Sequence, residues 1–379
     1  MIEICNKDMC TGCGLCVSIC THHAIAMQTD VLCNGHIFPK IDTAKCVDCG
    51  LCVKKCPQNQ LVEKKIPIHT YAAWNKDYNI HWQCTSGGLA FTLSRYVIER
   101  EHGVVYASVV DYNPLIVHHV RIDNLQHLED SKCSKYVQSA INSMLFRQIK
   151  NDLKEGRKVL FTGTPCQVDA VRSATAGLDT DKLILVDIIC HGVPSLKSLK
   201  DYIGQEKRKQ SIKKLSFRGN GGGHMGLKIN DKLIVIKGCW YYIGFLKGLY
   251  YRPSCYQCQY ADRHRISDVT LGDFWGLGKL KKMDNFQRKD GVNVVLVNSK
   301  KGQKYIDAIS TFIDFEERSL DEAVSGNRQL RFASKRHFCY NLFKILYPKI
   351  GFINAARISL FLDRIFYSVF VPLMAKIKK

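Results

Sequence analysis

The sequence predicts an α/β domain preceded by a small α+β domain. Two observations carry this: a four-cysteine pattern occurs twice in the first sixty residues, and strand-like and helix-like segments alternate after residue 63. The 379 residues are 46% hydrophobic and 23% charged, ordinary values for a globular protein of two or three domains. Three segments are expected: 1–62, 63–330 and a helical tail, 331–379.

Residues 1–10 carry Glu3 and Asp8 and no apolar run behind a basic stretch, so no secretory signal and a cytoplasmic location are expected. In a reducing compartment, the 18 cysteines read as metal ligands before disulfides. Cys10, Cys13, Cys16 and Cys20 have the spacing C-x2-C-x2-C-x3-C, and Cys46, Cys49, Cys52 and Cys56 repeat it, with Pro57 closing the second copy. That double run predicts two 4Fe-4S clusters in a ferredoxin-like domain. Three cysteines wrap one cluster, and the fourth crosses to the other. Cys20 is therefore expected with Cys46, Cys49 and Cys52, and Cys56 with Cys10, Cys13 and Cys16. Gly12, Gly14 and Gly50 let backbone pass close to sulfide. Structural zinc favours separated C-x2-C pairs and fits an eight-cysteine double run poorly. The first copy ends Cys20-Thr21-His22 without the proline, which shapes the exit turn and ligates nothing. Between the copies, 24–27 and 37–41 read as strands around the Asn34-Gly35 turn. Cys5 and Cys33 read as buried small residues.

After the linker Glu63-Lys64-Lys65, a helix is predicted over 88–101, with Leu89, Leu93, Tyr96 and Val97 on one face and Gly103 as its stop. Strands follow at 104–110 and 116–122. A helix is predicted over 139–155 from Ile141, Leu145, Ile149 and Leu153. The strand 158–162 turns through Gly163-Thr164-Pro165-Cys166-Gln167 into another helix, and a buried strand, 183–189, precedes a helix near Ser195. Strand-to-helix turns present free N–H groups to a phosphate. Gly163 to Gln167 is one such seat, and Ser86-Gly87-Gly88 is another, although both also serve simply as bends. Gly221, Gly223 and Gly226 match G-x-G-x-x-G, but they are flanked by strand-like 227–230 and 233–237, whereas a dinucleotide fingerprint opens a helix.

Cys166 and Cys190 end neighbouring strands, and Cys255 and Cys258 form a C-x2-C loop ahead of a strand at 268–271. Together they suit a third 4Fe-4S cluster, set against four separate buried thiols. The formal charge of +21 first suggests nucleic acid or an anionic membrane. Bound clusters bring negative charge that offsets part of it, and no nucleic-acid motif accompanies it, so no nucleic acid is expected.

Six motifs resemble the beta subunit family of coenzyme F420 hydrogenases and dehydrogenases, flavoproteins that include a chlorophyll-cycle reductase. They are Thr85-Ser86-Gly87-Gly88, Ser134-Lys135-Tyr136-Val137-Gln138-Ser139, Phe161-Thr162-Gly163-Thr164-Pro165-Cys166-Gln167, Cys190-His191-Gly192-Val193-Pro194-Ser195, the pair Cys255 and Cys258, and Gly272-Asp273-Phe274-Trp275-Gly276. The resemblance covers residues 1 to about 330. It implies FAD cradled by Ser86, Gly87 and Gly88, by Lys135, Tyr136 and Ser139, and by Gly163, Thr164, Pro165 and Gln167, with a cluster close to the flavin. Lys135 reads equally as a compensating cation or a solvated surface lysine. His191 reads as a hydrogen-bond or proton donor to the flavin, or, with more weight, as a structural histidine beside a ligand.

The function expected is a flavin-dependent iron-sulfur oxidoreductase. It would pass electrons between a protein redox partner such as ferredoxin, its clusters, and a small hydride donor or acceptor such as coenzyme F420 or an unsaturated metabolite. The alternative is a non-catalytic electron-transfer subunit serving a partner enzyme. Because all flavin motifs follow residue 62, FAD is expected to stay on a chain lacking 1–62. The tail mixes Phe352, Ile353, Ile358, Leu360, Phe361, Leu362, Ile365 and Phe366 with Arg357, Asp363 and Arg364, a poor membrane span. A packed terminal helix is expected there ahead of partner docking or peripheral membrane contact.

Overall fold

The computed structural model describes residues 3–206, 211–218, 226–230, 232–235, 238–278 and 291–365. Its N-terminal part is a hairpin: β1 (Ile25–Asp30) pairs antiparallel with β2 (His36–Ile41), Ile25 opposite Ile41 and Asp30 opposite His36. Between them, Asp30 caps the 3-10 turn Val31–Cys33, and Asn34 and Gly35 both take the left-handed conformation. Two short helices, Leu15–Ile19 and Leu51–Lys54, start from left-handed Gly14 and Gly50, one in each cysteine run, and pack against each other.

The main sheet contains β3 (His69–Asn75), β4 (Val104–Tyr112), β5 (Leu115–Ile122), β6 (Val159–Gly163) and β7 (Leu183–Ile188). A three-stranded sheet, β8 (Leu215–Ser216), β9 (Gly226–Ile229) and β10 (Lys232–Val235), lies apart. Then β11 (Val269–Asp273), β12 (Asn293–Val297) and β13 (Ile313–Glu317) return to the main sheet, whose order is β13-β3-β12-β11-β7-β6-β4-β5. Its centre, β4-β6-β7-β11, is parallel, while β5, β12, β3 and β13 join antiparallel, so the fold is mixed α/β. Both faces are covered. Leu89, Leu93 and Val97 of helix Leu89–Glu101 pack on one face. Helices Ser143–Lys154 and Pro165–Thr175 pack on the other through Leu145, Ile149, Val168 and Val171. That double cover is why 183–189 reads as continuously apolar.

Three expectations change. The helix expected over 139–155 begins at Ser143, because Asn142 accepts the Leu145 N–H at 2.9 Å and caps it there. Ser139 and Ala140 are instead extended, Ala140 exchanging 2.9 Å backbone bonds with Val117 and His119. The stop of the first long helix is left-handed His102, one residue ahead of Gly103. The tail is three short helices, Tyr340–Ile350, Phe352–Ser359 and Phe361–Ile365, broken at Gly351 with its positive φ of 78°. Phe343 and Phe352 bury completely among Tyr202, Tyr241 and Tyr250. Phe366 and the Lys-rich end lie outside the described residues, as do Gly221 and Gly223, while Gly226 pairs with Val235 in a hairpin. No described helix is long and apolar enough to cross a membrane.

Candidate functional site

The cysteines fall into groups set by the loops that carry them. Cys56 lies with Cys10, Cys13 and Cys16, and Cys20 lies with Cys46 and Cys52. Burial, with the charges of Cys10 and Cys56, pushes the Cys13 thiol up to about 12. Cys49 is exposed, and a side chain at Gly50 would meet nothing within 4 Å, so the loop ahead of helix Leu51–Lys54 faces solvent. Cys5 packs beside Cys10 and close to Cys56, a contact its position outside the runs does not announce. Cys33 is buried beside Cys10 and Phe38.

Cys166, at the start of helix Pro165–Thr175, and Cys190, just past β7, come together with Cys255 and Cys258 because β6 and β7 are adjacent and in register, Thr162 opposite Val186. Burial, then their mutual charges, raises the thiols of Cys166 and Cys190, and raises Cys255 to about 12. Four half-buried cysteines whose thiols oppose each other's ionisation fit a cationic core that stabilises thiolates. No group of three or more His, Cys, Asp or Glu among the described residues closes on a single ion position. A cubane separates its thiolates more widely than one ion does.

A cavity of about 290 Å³ opens where these loops converge. Thr11, Gly12 and Cys13 form part of its wall, and Cys166, Cys190 and His191 form another. Of the residues expected to cradle FAD, Ser86, Gly88, Lys135, Tyr136, Ser139, Gly163, Thr164 and Gln167 line it. Gly87 and Pro165 do not, and they act as shape. A Cβ at Gly87 would lie 2.3 Å from the Ala73 carbonyl oxygen. Pro165 is buried in the first turn of its helix.

Ser86 is buried and left-handed at φ 59°, and its hydroxyl has no partner. Gly88 begins helix Leu89–Glu101 without a side chain of its own to cap it, and Asn293 Oδ1 accepts the Leu89 N–H at 3.2 Å. An orphaned hydroxyl beside the first turn of a helix fits a phosphate oxygen. Lys135 is no solvated lysine. Its ammonium donates to the carbonyls of Ser131 and Lys132 at 2.8 and 3.0 Å, and burial pushes it down to about 8. Gln167 is already engaged: it completes a capping box with Thr164 and donates to the Ser139 carbonyl at 2.8 Å. His191 is half-buried, desolvation lowers its pKa, and its Nδ1 lies 3.2 Å from Gln329 Nε2. Its carbonyl accepts a hydrogen bond from Ser334.

Several lining residues escape sequence reasoning. His119, held down to about 4 by burial, links the Thr162 carbonyl and Ser139, each at 2.9 Å. Arg218 donates to the Tyr136 hydroxyl at 2.7 Å and pairs with Asp273. The separation of 55 positions between Arg218 and Asp273 leaves no local signal. Arg252 is 1% exposed, with its Nη1 on the Cys10 carbonyl at 2.9 Å and its Nη2 on Gln138 at 3.3 Å and on the Ile37 carbonyl. Its place three residues before Cys255 is the one clue that the sequence offers.

Residues 156–323 match the family described as the C terminus of the coenzyme F420 hydrogenase/dehydrogenase beta subunit, and residues 9–60 match the 4Fe-4S dicluster domain. No curated protein matches the chain. Among solved structures, similarity is found to a chain from the F420-reducing [NiFe] hydrogenase complex of Methanosarcina barkeri. It is 17% identical with a TM-score of 0.48, covering 71% of this chain and 94% of that one.

Proposed function

We infer that this chain is a member of the coenzyme F420 hydrogenase/dehydrogenase beta subunit family with an N-terminal 4Fe-4S dicluster domain. From that premise we propose that it is a flavin-dependent iron-sulfur oxidoreductase, with FAD in the 290 Å³ cavity and a third cluster on Cys166, Cys190, Cys255 and Cys258. In this reading, residues 1–62 take electrons from a protein partner such as ferredoxin, and 63–330 exchange them with a small hydride donor or acceptor. Coenzyme F420 and an unsaturated metabolite are the two candidate classes.

One observation carries the reading. A single cavity is lined by an orphaned buried hydroxyl at Ser86, by Lys135 with its pKa lowered by desolvation, and by cysteines from both a dicluster run and the four-thiol group. Flavin, when bound, supplies the exchange between a two-electron hydride and single electrons. The chain's own residues do the rest. Ser86 and the start of helix Leu89–Glu101 offer donors to a pyrophosphate, with Lys135 as nearby positive charge. Tyr136, oriented by Arg218 and Asp273, and His119, oriented by Thr162 and Ser139, set polar groups along the walls. His191 lies within the cavity, neutral because burial lowers its pKa, and Gln329 fixes its ring.

The test is anaerobic purification of the full chain with flavin and iron measured, then a screen of reduced donors for bleaching of bound-flavin absorbance. Stoichiometric FAD and steady turnover of a small molecule are expected. Flavin-free protein that only relays electrons to another enzyme would establish the non-catalytic alternative.

A further inference from the structure

Four arginines are buried among the described residues, and three have a carboxylate: Arg218 with Asp273, Arg265 with Asp187 at 2.9 Å, and Arg318 with Glu322 at 2.8 Å. Arg252 has none. Its hydrogen bonds go to neutral acceptors, the Cys10 and Ile37 carbonyls and Gln138, its Nε has no partner, and the Cys10 side chain lies beside it. Its guanidinium carbon lies 4.6 Å from the centre of the Phe38 ring, a contact that does not neutralise it. His36 beside it is kept neutral, pushed down to about 3 by burial and then by Arg252 itself. A buried charge without an ion pair is costly, so the compensating anion has to lie close by.

Two cysteine groups flank it. On one side is the loop Cys10-Thr11-Gly12-Cys13, where a Cβ on Gly12 would fall 2.4 Å from Arg252 Nη2, so that only glycine leaves room for the guanidinium. On the other side, the Arg252 carbonyl accepts the Cys255 N–H at 2.9 Å, and its N–H donates to Val193 at 3.0 Å, three residues past Cys190. Cys10, Cys255, Cys166 and Cys13 all act on its charge.

We infer that Arg252 is a positioning residue, the shared counter-charge of two iron-sulfur clusters: the one on Cys10, Cys13, Cys16 and Cys56, and the one proposed above for Cys166, Cys190, Cys255 and Cys258. The second half rests on that proposed cluster. An added electron makes a cluster more negative, and a fixed cation beside it stabilises the reduced form, so Arg252 raises the reduction potential on both sides. Phe38 and the surrounding burial keep water from screening it. One charge thereby keeps two successive electron stops on similar potentials.

The test uses the full chain, purified anaerobically, with iron counted and each cluster titrated under electron paramagnetic resonance. Arg252→Gln is expected to keep wild-type iron while the two flanking clusters become harder to reduce by at least tenfold in the one-electron equilibrium, or about 59 mV. The solvent-facing Cys20, Cys46, Cys49, Cys52 cluster should stay put as an internal reference. Arg252→Lys should hold the flanking potentials close to wild type. Unchanged potentials in Arg252→Gln at full iron overturn the inference. If Arg252→Gln loses iron, Arg252→Lys decides. Retained iron and potentials support the role of charge, and iron loss despite the retained charge overturns it in favour of the shape of the guanidinium. Wild-type iron near eight per chain removes the proposed third cluster alone, and the potential of the remaining flanking cluster then reads Arg252 by itself.

Discussion

Ser86 and Lys135 show what a residue's type conveys and what it conceals. The string Thr85-Ser86-Gly87-Gly88 marks a turn, but the left-handed backbone at Ser86 and its unpartnered hydroxyl emerge only from the surrounding packing. In sequence, Lys135 looks as much like surface as like site, because burial of a lysine depends on distant segments. Here its ammonium is folded against the carbonyls of 131 and 132. Its pKa, lowered to about 8, has a functional sign. The ammonium carries charge below about pH 8 and loses it above, so the cavity loses anion affinity as pH rises through that value. FAD binding to flavin-free protein should therefore weaken above about pH 8. Lys135→Met should remove that pH dependence and weaken binding at lower pH by roughly tenfold to a hundredfold, the worth of a charge-assisted hydrogen bond of about 1.5–3 kcal/mol. Flavin fluorescence titrations from about pH 6.5 to about pH 9, a range that brackets the lysine's transition, read both effects, and a Lys135→Met curve parallel to wild type would exclude the assignment.

Elements are legible where one physical signal acts alone. The apolar run at 183–189 and the Gly-Thr-Pro turn after 158–162 predict adjacent strand ends, and β6 and β7 do bring Cys166 and Cys190 together. The helix at 139–155 misleads because Ile141 continues the apolar spacing while lying outside the helix, buried in an extended lead-in. Asn142 is a good cap, yet Leu145 three residues later gives no capping-box signature, so periodicity overrides the stop. That lead-in matters, because it delivers Gln138 and Ser139 to the cavity. At this scale the third cluster is testable. Cys255→Ala or Cys258→Ala should lower anaerobic iron from about twelve to about eight per chain, with the dicluster signals intact. Wild-type iron that is already near eight, unaffected by either change, would make these ordinary buried thiols.

At the scale of the molecule, sequence order is a poor guide to what touches what. All the motifs proposed to hold flavin follow residue 62, yet Thr11, Gly12 and Cys13 help wall the cavity. The Asn34 carbonyl accepts hydrogen bonds from Ser195 and Ser198, Ser18 donates to the Ser143 carbonyl, and Gln58 reaches Tyr260. Deleting 1–62 would bare Arg252 and open one wall, so the expectation from sequence reverses. The truncated chain should bind FAD at least tenfold more weakly or precipitate, as read by flavin retention on gel filtration. Retention at wild-type stoichiometry would show that the wall is dispensable. The bareness at Cys49 and Gly50 has a different import, one of durability. An arrangement whose outermost cubane meets solvent while the inner cysteines are shielded should corrode from the outside inward. In air, iron should leave first from the Cys20, Cys46, Cys49, Cys52 group, with its resonance fading while the others persist, as timed iron assays would record. If electrons enter at that outer cluster, as proposed, a protein briefly exposed to oxygen would stop accepting them from its partner before its flavin site was affected.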